Sequence, residues 1–572
     1  MNDTQENIGY IVGGGLKESF SARLSVDPLG VQEGGFVVID SGSHRFYGLV
    51  TDLQLGATDP RFADEQSETR LPPVLARALH GQTLFTNLEI LPSLMLDRGP
   101  DPADKAAYKQ WTAEIDAGLR DRPRPMPVKT VPPHHAPVRM ANAGDIAEIF
   151  GAPGEGGNFI IGQTREQGHP VCIDLDKFVQ RSAGVFGATG TGKSFLTRLV
   201  LAGLMQRGKA AVLVLDMHNE YGFDDTASDS GQRVIGLKSK FGSKVRVVGL
   251  GAGATIRNLT PDFNLEIAMR DISSADVELL TRELNLKETT PTTLNALYTS
   301  FRGDWFMRFK AMNRDEVEVD DEKTGKLKKM PHPDSVAAWA DENGANVMAA
   351  EALHDKLRRL FGKAYIVEKP ASDGITEIIK ALEAGQHVVL SFGDFESDLD
   401  YLLVSNLLTR HIREAWEKRT NEFRTHGKLE PRPLVIVVEE AHKLLNREMA
   451  AQTTFATIAR ELRKYYVTLL IVDQRPSQIY DEVMSQLGTR ISGWLGDEDD
   501  IHAVLSGLSG REALRGMLAR LQPKEEVLLL GWGVPMPLPV KSRRYDETFW
   551  KELLGGAGGK KSAEKNLKEL GF

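Results

Sequence analysis

A glycine-rich octapeptide has the residue types that cradle the phosphates of a nucleotide. It has the form G-x-x-x-x-G-K-[ST] and consists of Gly187, Ala188, Thr189, Gly190, Thr191, Gly192, Lys193 and Ser194. In such a loop, backbone N–H groups surround the β-phosphate, the lysine reaches the β and γ oxygens, and the serine hydroxyl binds Mg²⁺. The flanking apolar runs predict a buried strand before the loop and a helix after it. The alternative is a glycine-rich turn that matches this pattern by chance, but such a turn would not require a strand before it and a helix after it.

Two carboxylates at the end of a second apolar run are suited to hydrolysis of the bound triphosphate. Residues 434–438 predict a continuous buried strand, and Glu439 and Glu440 follow it directly. We expect Glu439 to hold Mg²⁺ through water, and Glu440 to orient and polarise the water that attacks the γ-phosphate. The alternative is a pair of surface acids after a strand. Together with the octapeptide, this pattern predicts an ATPase.

Basic and amide side chains further along the chain could act on the γ-phosphate. Helical spacing predicts Arg460, Arg463 and Lys464 on one face, although such a face is usually only solvated. Ring ATPases supply an arginine from the neighbouring subunit to neutralise developing charge, and for this role we favour Arg463, with Arg460 second. Gln474 ends the strand next to that of Glu439, where an amide can sense the γ-phosphate or the water, or else cap a turn.

Polar residues also follow a third predicted strand, residues 211–215. Ligands of parallel sheets bind at the carboxyl ends of the strands, which makes Asp216, His218 and Glu220 further candidates. The alternative is a turn whose polar groups bond to one another.

Composition limits the partners and the compartment. The chain has 572 residues, 41% hydrophobic and 26% charged, with a net charge of −9. That charge excludes a generally basic nucleic-acid surface but allows a local basic channel. The single Cys172 excludes an internal disulfide and suits a reducing cytoplasm. Neither a signal-peptide pattern nor an apolar run near the ~20 residues of a membrane span occurs, so we expect a cytoplasmic protein.

Alternating patterns divide the chain into segments. β-Branched and aromatic runs predict a small β-barrel over residues 1–125, and prolines predict a linker over 126–157. Strands alternating with helices predict an α/β, RecA-like P-loop ATPase core over 158–258 and 386–545. A helical insertion without core strands is expected over 259–385, with an exposed hairpin near residues 317–329. Residues 546–572 are expected to form a C-terminal tail.

Five motifs in order resemble the HerA group of the HerA/FtsK translocases. They are G-A-T-G-T-G-K-S, L-D-M-H-N-E-Y, V-V-E-E-A-H, I-A-R-E-L-R-K-Y and D-Q-R-P-S, between residues 187 and 477. The resemblance implies a homohexamer that hydrolyses ATP and moves double-stranded DNA through its centre. It also implies a partner docked on the barrel: a NurA-like nuclease or, in bacterial defence operons, a nuclease or a sirtuin-like NAD-degrading effector. Tyr465, Tyr466, Leu462 and Asp473 depart from the usual residues of the group.

Two functions from different classes remain open on the sequence alone. In the first, the protein is a DNA translocase or helicase working with an effector in DNA end processing or anti-phage defence. In the second, it is an ATP-gated ring scaffold that assembles and activates a defence effector, with DNA movement secondary. The complete hydrolytic set favours the motor, because a scaffold could lose Glu440 without harm. A small-molecule kinase would not explain the barrel or the length of the chain.

Overall fold

The structure is a computed structural model, and it describes residues 6–58, 84–101, 103–226, 231, 233–320, 327–449 and 454–555. At positions 319, 320, 328, 454, 456, 460 and 462 only the backbone is described. Strands and helices are numbered here in chain order over these residues.

The N-terminal part of the chain folds into a closed barrel. Its strands are β1 (Gly9–Gly14), β2 (Phe20–Leu24), β3 (Phe36–Ser41), β4 (His44–Ala57), β5 (Leu84–Asp97), β6 (Met126–Pro127) and β7 (Pro137–Met140). The order β2-β1-β7-β3-β4-β5 closes on itself because β2 also pairs with β5, while β6 adds to β5 outside the ring. Phe20, Phe46 and Val138 are among the buried residues that fill the interior. The barrel thereby protects its strand edges from other chains.

The barrel extends beyond the predicted boundary at residue 125. Strand β7 lies inside the predicted linker 126–157, yet it pairs antiparallel with both β1 and β3. Prolines near this strand suggested a linker, but Pro137 is its first residue, where a missing N–H is tolerated. The barrel needs β7 for closure, and only this long-range pairing reveals that need.

A sheet of twelve strands forms the core of the ATPase part. Its order is β15-β14-β20-β11-β21-β22-β10-β23-β24-β25-β8-β9, parallel from β15 to β23 and antiparallel from β23 to β9. These strands are β8 (Asn158–Gln163), β9 (Pro170–Asp174), β10 (Ala183–Phe186), β11 (Ala211–Asp216), β14 (Val245–Leu250), β15 (Phe263–Leu265), β20 (His387–Ser391), β21 (Leu434–Glu439), β22 (Val467–Asp473), β23 (Thr489–Ser492), β24 (Glu526–Gly531) and β25 (Leu538–Ser542). Every residue of β10, β11, β21 and β22 is buried, as expected for parallel strands covered on both faces.

Helices occur in the barrel region, around the core sheet and in the insertion. They are α1 (Lys105–Asp116), α2 (Ala143–Phe150), α3 (Leu175–Phe178), α4 (Lys193–Arg207), α5 (Leu237–Phe241), α6 (Ser274–Glu278), α7 (Thr290–Phe301), α8 (Trp305–Ala311), α9 (Val336–Glu342), α10 (Val347–Phe361), α11 (Gly374–Glu383), α12 (Asp398–His426), α13 (His442–Leu445), α14 (Thr454–Glu461), α15 (Asp481–Gln486), α16 (Glu498–Leu505) and α17 (Arg511–Ala519). The combination of barrel, α/β P-loop core and helical insertion confirms the predicted fold class. No helix in the described part of the chain is long and apolar enough to cross a membrane.

The insertion contains strands that its helical pattern did not predict. Strand β15 pairs in parallel with β14 and so belongs to the core sheet, which corrects the expectation of no core strands over 259–385. Its three residues are too few to produce a readable alternation. Two short pairs of the insertion lie outside the core sheet: β16 (Ile267–Ala268) with β19 (Ile366–Val367), and the expected hairpin β17 (Glu316–Asp320) with β18 (Leu327–Pro331). A further pair, β12 (Asp225–Thr226) with β13 (Arg233–Val234), lies before the insertion in the chain.

Candidate active site

The octapeptide joins β10 to α4, as its flanking patterns predicted. Gly190 and Gly192 adopt φ values of 78° and 88°, in the left-handed region that favours glycine. A Cβ at Gly187 would lie 2.6 Å from Thr191 Oγ1. No side chain of the described residues caps the first turn of α4, so its N–H groups remain available to an anion. The loop is therefore shaped to receive phosphate oxygens.

A cavity of about 850 Å³ opens over this loop. Residues 188–194 line it together with Glu439, Glu440 and Gln474, whereas Gly187 does not line it. Its volume lies in the range of small-molecule and cofactor sites. The carboxyl ends of β10, β21 and β22 thus bring the predicted phosphate loop, both carboxylates and the amide to one cavity.

Glu439 is buried beside other acidic groups. Its Oε1 accepts a hydrogen bond from Tyr221 Oη at 2.6 Å, while its Oε2 is buried without a hydrogen-bond partner in the described part of the chain. Burial, followed by the charge of nearby Asp216, raises the pKa of Glu439 well above its usual range. A bound cation or a hydrogen-bond donor from a ligand would favour the ionised carboxylate of Glu439.

Of the three candidates at the end of β11 and just after it, two reach the cavity. His218 and Glu220 line it, but Asp216 is fully buried and accepts the backbone N–H groups of Glu220 at 2.7 Å and Tyr221 at 3.0 Å. Asp216 therefore holds the turn after β11, as the alternative interpretation proposed for these residues.

Glu440 has an unusual backbone and a direct link to the phosphate loop. Its φ of 45° is in the left-handed region, where a non-glycine residue is strained and where functional residues are often found. Gln474 Nε2 donates to Glu440 Oε2 at 3.2 Å, and Thr189 Oγ1 donates to Gln474 Oε1 at 2.5 Å. Gln474 thus bridges the loop and the carboxylate, an arrangement able to register what occupies the γ-phosphate position.

A cluster that the sequence did not predict lies beside Glu440. Asp473 Oδ2 accepts the backbone N–H of His442 at 2.7 Å and ring Nδ1 at 3.0 Å, and Asp473 Oδ1 accepts the N–H of Arg475 at 2.7 Å. We name Asp473, His442 and Arg475 the Asp473 clamp. His442 Nδ1 also lies 3.6 Å from Glu440 Oε2. The hydrogen bond to Asp473 raises the pKa of His442. The sequence signal for this cluster was that Asp473 departs from the usual residue of the HerA group at this position.

The predicted basic face takes a different form in the structure. Helix α14 ends at Glu461, and a 3-10 turn over Leu462–Tyr465 carries Arg463 and Lys464. A 3-10 helix has three residues per turn, whereas an α-helix has 3.6. Positions 460, 463 and 464 therefore do not share one continuous α-helical face. Arg463 is exposed in this turn, which precedes β22, whereas Lys464 pairs with Glu461 at 3.7 Å. The side chain of Arg460 lies outside the described residues.

The phosphate loop, the paired carboxylates and the bridging amide at the ends of parallel strands define an ATP-hydrolysing P-loop enzyme. Residues 159–412 match the family described as "Helicase HerA, central domain". The chain is 22% identical to the DNA double-strand break repair helicase HerA of Sulfolobus acidocaldarius, covering 94% of this chain and 93% of that protein. For the protein of the same name from Sulfurisphaera tokodaii the identity is 23%, with the same two coverages. VirB4 of Thermoanaerobacter pseudethanolicus superposes with a TM-score of 0.41 at 17% identity, over 68% of this chain and 97% of that chain. These matches confirm the resemblance to the HerA group, and the chain is a P-loop ATPase similar to the HerA helicases.

Proposed function

We propose that this ATPase moves double-stranded DNA through a ring of six copies and works with an effector docked on its barrel. The observation that carries the proposal is the position of Arg463. In its own subunit, Arg463 precedes β22, and the cavity lies beyond the other end of that strand. The seven residues of β22, at about 3.3 Å each, separate Arg463 from the cavity by roughly 20 Å.

That separation favours a site completed by a second subunit. An arginine must approach the γ-phosphate closely to neutralise charge in the transition state. Arg463 cannot do so in its own subunit, but its exposed side chain is available to the cavity of a neighbour. Arg424 Nη2 donates to the carbonyl oxygen of Lys464 at 2.5 Å and so fixes the turn that carries Arg463. A closed ring gives every cavity such a neighbour.

Within the cavity we assign roles by geometry. Ser194 and Glu439 are suited to hold Mg²⁺, which commonly uses one or two protein oxygens and completes its shell with phosphate and water. The buried Glu439 Oε2 without a partner fits this role, because a bound cation would lower the pKa that burial raises. Glu440 would orient the attacking water, and Lys193 would stabilise the β and γ oxygens.

Contacts between barrel and core give an effector a route to the cavity. Arg165 donates to the carbonyl oxygen of Glu33 at 3.0 Å and to Glu526 at 2.8 Å. Glu526 and Lys524 line the nucleotide cavity, and the N–H of Lys524 donates to Thr191 O at 3.1 Å. An effector, such as a NurA-like nuclease or a defence enzyme, that shifts the barrel would therefore act on the phosphate loop. The same contacts favour the second candidate, an ATP-gated scaffold for a defence effector.

The experiment combines mass determination with ATP turnover in the presence and absence of linear double-stranded DNA. A hexamer strongly stimulated by DNA supports the motor. DNA-insensitive turnover that rises only with a barrel-bound effector supports the scaffold instead. The subunit exchange is tested by mixing Lys193→Ala and Arg463→Ala subunits, which should partly restore turnover. Lys464→Ala, an adjacent exposed cation, is the matched control. Absence of rescue in demonstrably mixed rings would exclude Arg463 from the neighbour's site.

A further inference from the structure

The nucleotide cavity has a second wall whose chemistry differs from that of the phosphate end. Beyond the loop, the cavity is lined by the ring of Phe195, the side chains of Leu199 and Val234, and the ring of Tyr545. These groups are apolar or aromatic, whereas the phosphate end presents glycines, a lysine and carboxylates. Phosphates gain nothing from an aromatic wall, so this part of the cavity suits a different part of the ligand.

We propose that Phe195 and Tyr545 form a nucleobase subsite that stacks the purine of the bound nucleotide. The inference rests on the proposed binding of ATP at the loop, and it extends that site to residues from the C-terminal part of the chain. Base stacking on aromatic side chains is a general mode of recognition, since every base has a flat π face.

The two rings lie where a base attached to the phosphates would lie. Phe195 directly follows Ser194 on α4, so consecutive Cα atoms separate it from the phosphate loop by only about 3.8 Å. Its ring centroid is 6.4 Å from that of Tyr545, with the planes inclined at 53°. Both side chains are half-buried, which leaves ring surface accessible from the cavity.

Tyr545 is rigidly held from behind. Its hydroxyl donates to the carbonyl oxygen of Ile235 at 2.7 Å, and its ring packs on Phe549 and Trp550 at centroid distances of 5.7 and 5.4 Å. Phe549 and Trp550 are each 1% exposed. A ring fixed in this way loses little conformational freedom when a base stacks on it, which favours affinity.

An unpaired buried donor next to the same wall is an independent sign of a ligand. Arg198 is only 4% exposed, yet it lines the cavity, with its guanidinium carbon 5.4 Å from the ring centroid of Phe195. Its Nη2 donates to the carbonyl oxygen of Glu220, but its Nε has no hydrogen-bond partner in the described part of the chain. Buried donors are normally satisfied, so this one is suited to an acceptor from the ligand. Ring nitrogens of a purine and ribose oxygens are such acceptors.

The test compares ligands with and without a base on the full-length protein. Affinities for ATP, GTP and inorganic tripolyphosphate, each with Mg²⁺, are measured by titration calorimetry for the wild type, Tyr545→Ala and Phe195→Leu. Tyr298→Ala, an exposed tyrosine on α7, is the control. We expect either cavity variant to weaken ATP binding about 10- to 100-fold while tripolyphosphate binding stays within about twofold. Tyr545→Phe should retain most ATP affinity, because it keeps the ring.

Three outcomes would overturn the subsite. The first is equal affinity of the wild type for ATP and tripolyphosphate. The second is unchanged ATP affinity in a folded Phe195→Leu or Tyr545→Ala variant, and the third is an equal loss of tripolyphosphate binding, which would indicate collapse of the loop. If Tyr545→Ala fails to fold, the wild-type comparison and Phe195→Leu still decide. Failure of the translocase proposal is distinguishable, because it leaves these affinities intact and removes only the stimulation by DNA.

Discussion

Replacing Asp473 by asparagine should lower both the stability and the turnover of this ATPase. Asp473 is fully buried, and both of its oxygens accept hydrogen bonds within the Asp473 clamp. An asparagine has one oxygen and an NH₂ group in their place. Whichever way the amide turns, the NH₂ group faces a backbone N–H, of His442 or of Arg475, and that donor loses its acceptor.

The size of the effect follows from two opposing quantities. A buried donor without an acceptor costs about 1–3 kcal/mol, and loss of the charge-assisted bond to the His442 ring costs a further 1.5–3 kcal/mol or so. The left-handed backbone of Glu440 is itself unfavourable by roughly 1–2 kcal/mol. The intact clamp outweighs that strain, whereas the weakened clamp does not. The two losses sum to about 2.5–6 kcal/mol, and relaxation of Glu440 returns roughly 1–2 kcal/mol of that. We therefore expect a net destabilisation of about 0.5–5 kcal/mol and at least about a tenfold fall in kcat.

Urea unfolding and steady-state ATP turnover measure the two effects in the same preparation. The control is Asp398→Asn. Asp398 is an exposed residue of α12 that pairs at 2.7 Å with Lys443, the neighbour of His442 on α13. An exposed pair contributes about 0–1 kcal/mol, so this control should behave like the wild type. If Asp473→Asn matches the control in both assays, the clamp does not hold Glu440 and the reasoning is wrong.

Three further predictions concern single contacts and pH. Gln474→Ala should lower kcat about 10- to 100-fold with little change in ATP affinity, because it removes the amide that bridges Thr189 and Glu440. ATP binding and ATP turnover are measured separately, and equal losses of affinity and of kcat would contradict the prediction. His442 has a raised pKa through Asp473, so its stabilising contribution is complete below about pH 6.5 and declines as pH rises through the folded pKa. The urea midpoint should therefore fall between pH 6 and 8 more in the wild type than in His442→Gln, and parallel curves would refute it. Burial would raise the pKa of Asp40, but hydrogen bonds and charge from Arg45 and Arg139 lower this pKa overall. The contribution of Asp40 to the free energy of unfolding is therefore present above about pH 4 and is lost as the pH falls further. Asp40→Asn should be less stable than the wild type at pH 7, by urea unfolding, with a difference that shrinks near pH 3; a constant difference would exclude the charge as its cause.

Local patterns in the sequence were sufficient for the parts of the site that short segments build. The octapeptide and its flanking runs predicted the turn between β10 and α4, because glycine spacing and apolar periodicity act within a few residues. The continuous apolar run that forms β21 likewise predicted Glu439 and Glu440 at its end, because such a run is typical of a buried parallel strand. The hairpin of β17 and β18 was also predicted from its own residues.

Contacts between distant segments decided the rest. Strand β7 closes the barrel through pairing with β1 and β3, and the prolines beside it concealed this in the sequence. Asp473 meets His442 across 31 positions of the chain, and Tyr545 reaches the cavity of a loop more than 350 positions earlier. Such contacts have no local signature, because their free energy comes from burial and hydrogen bonding between elements that only the folded chain brings together. The sequence by itself predicted a nucleotide-binding loop and the carboxylates and amide that share its cavity. Only the tertiary structure decided which groups lie beside Glu440, which aromatic rings line the cavity, and how far Arg463 lies from the cavity of its own subunit.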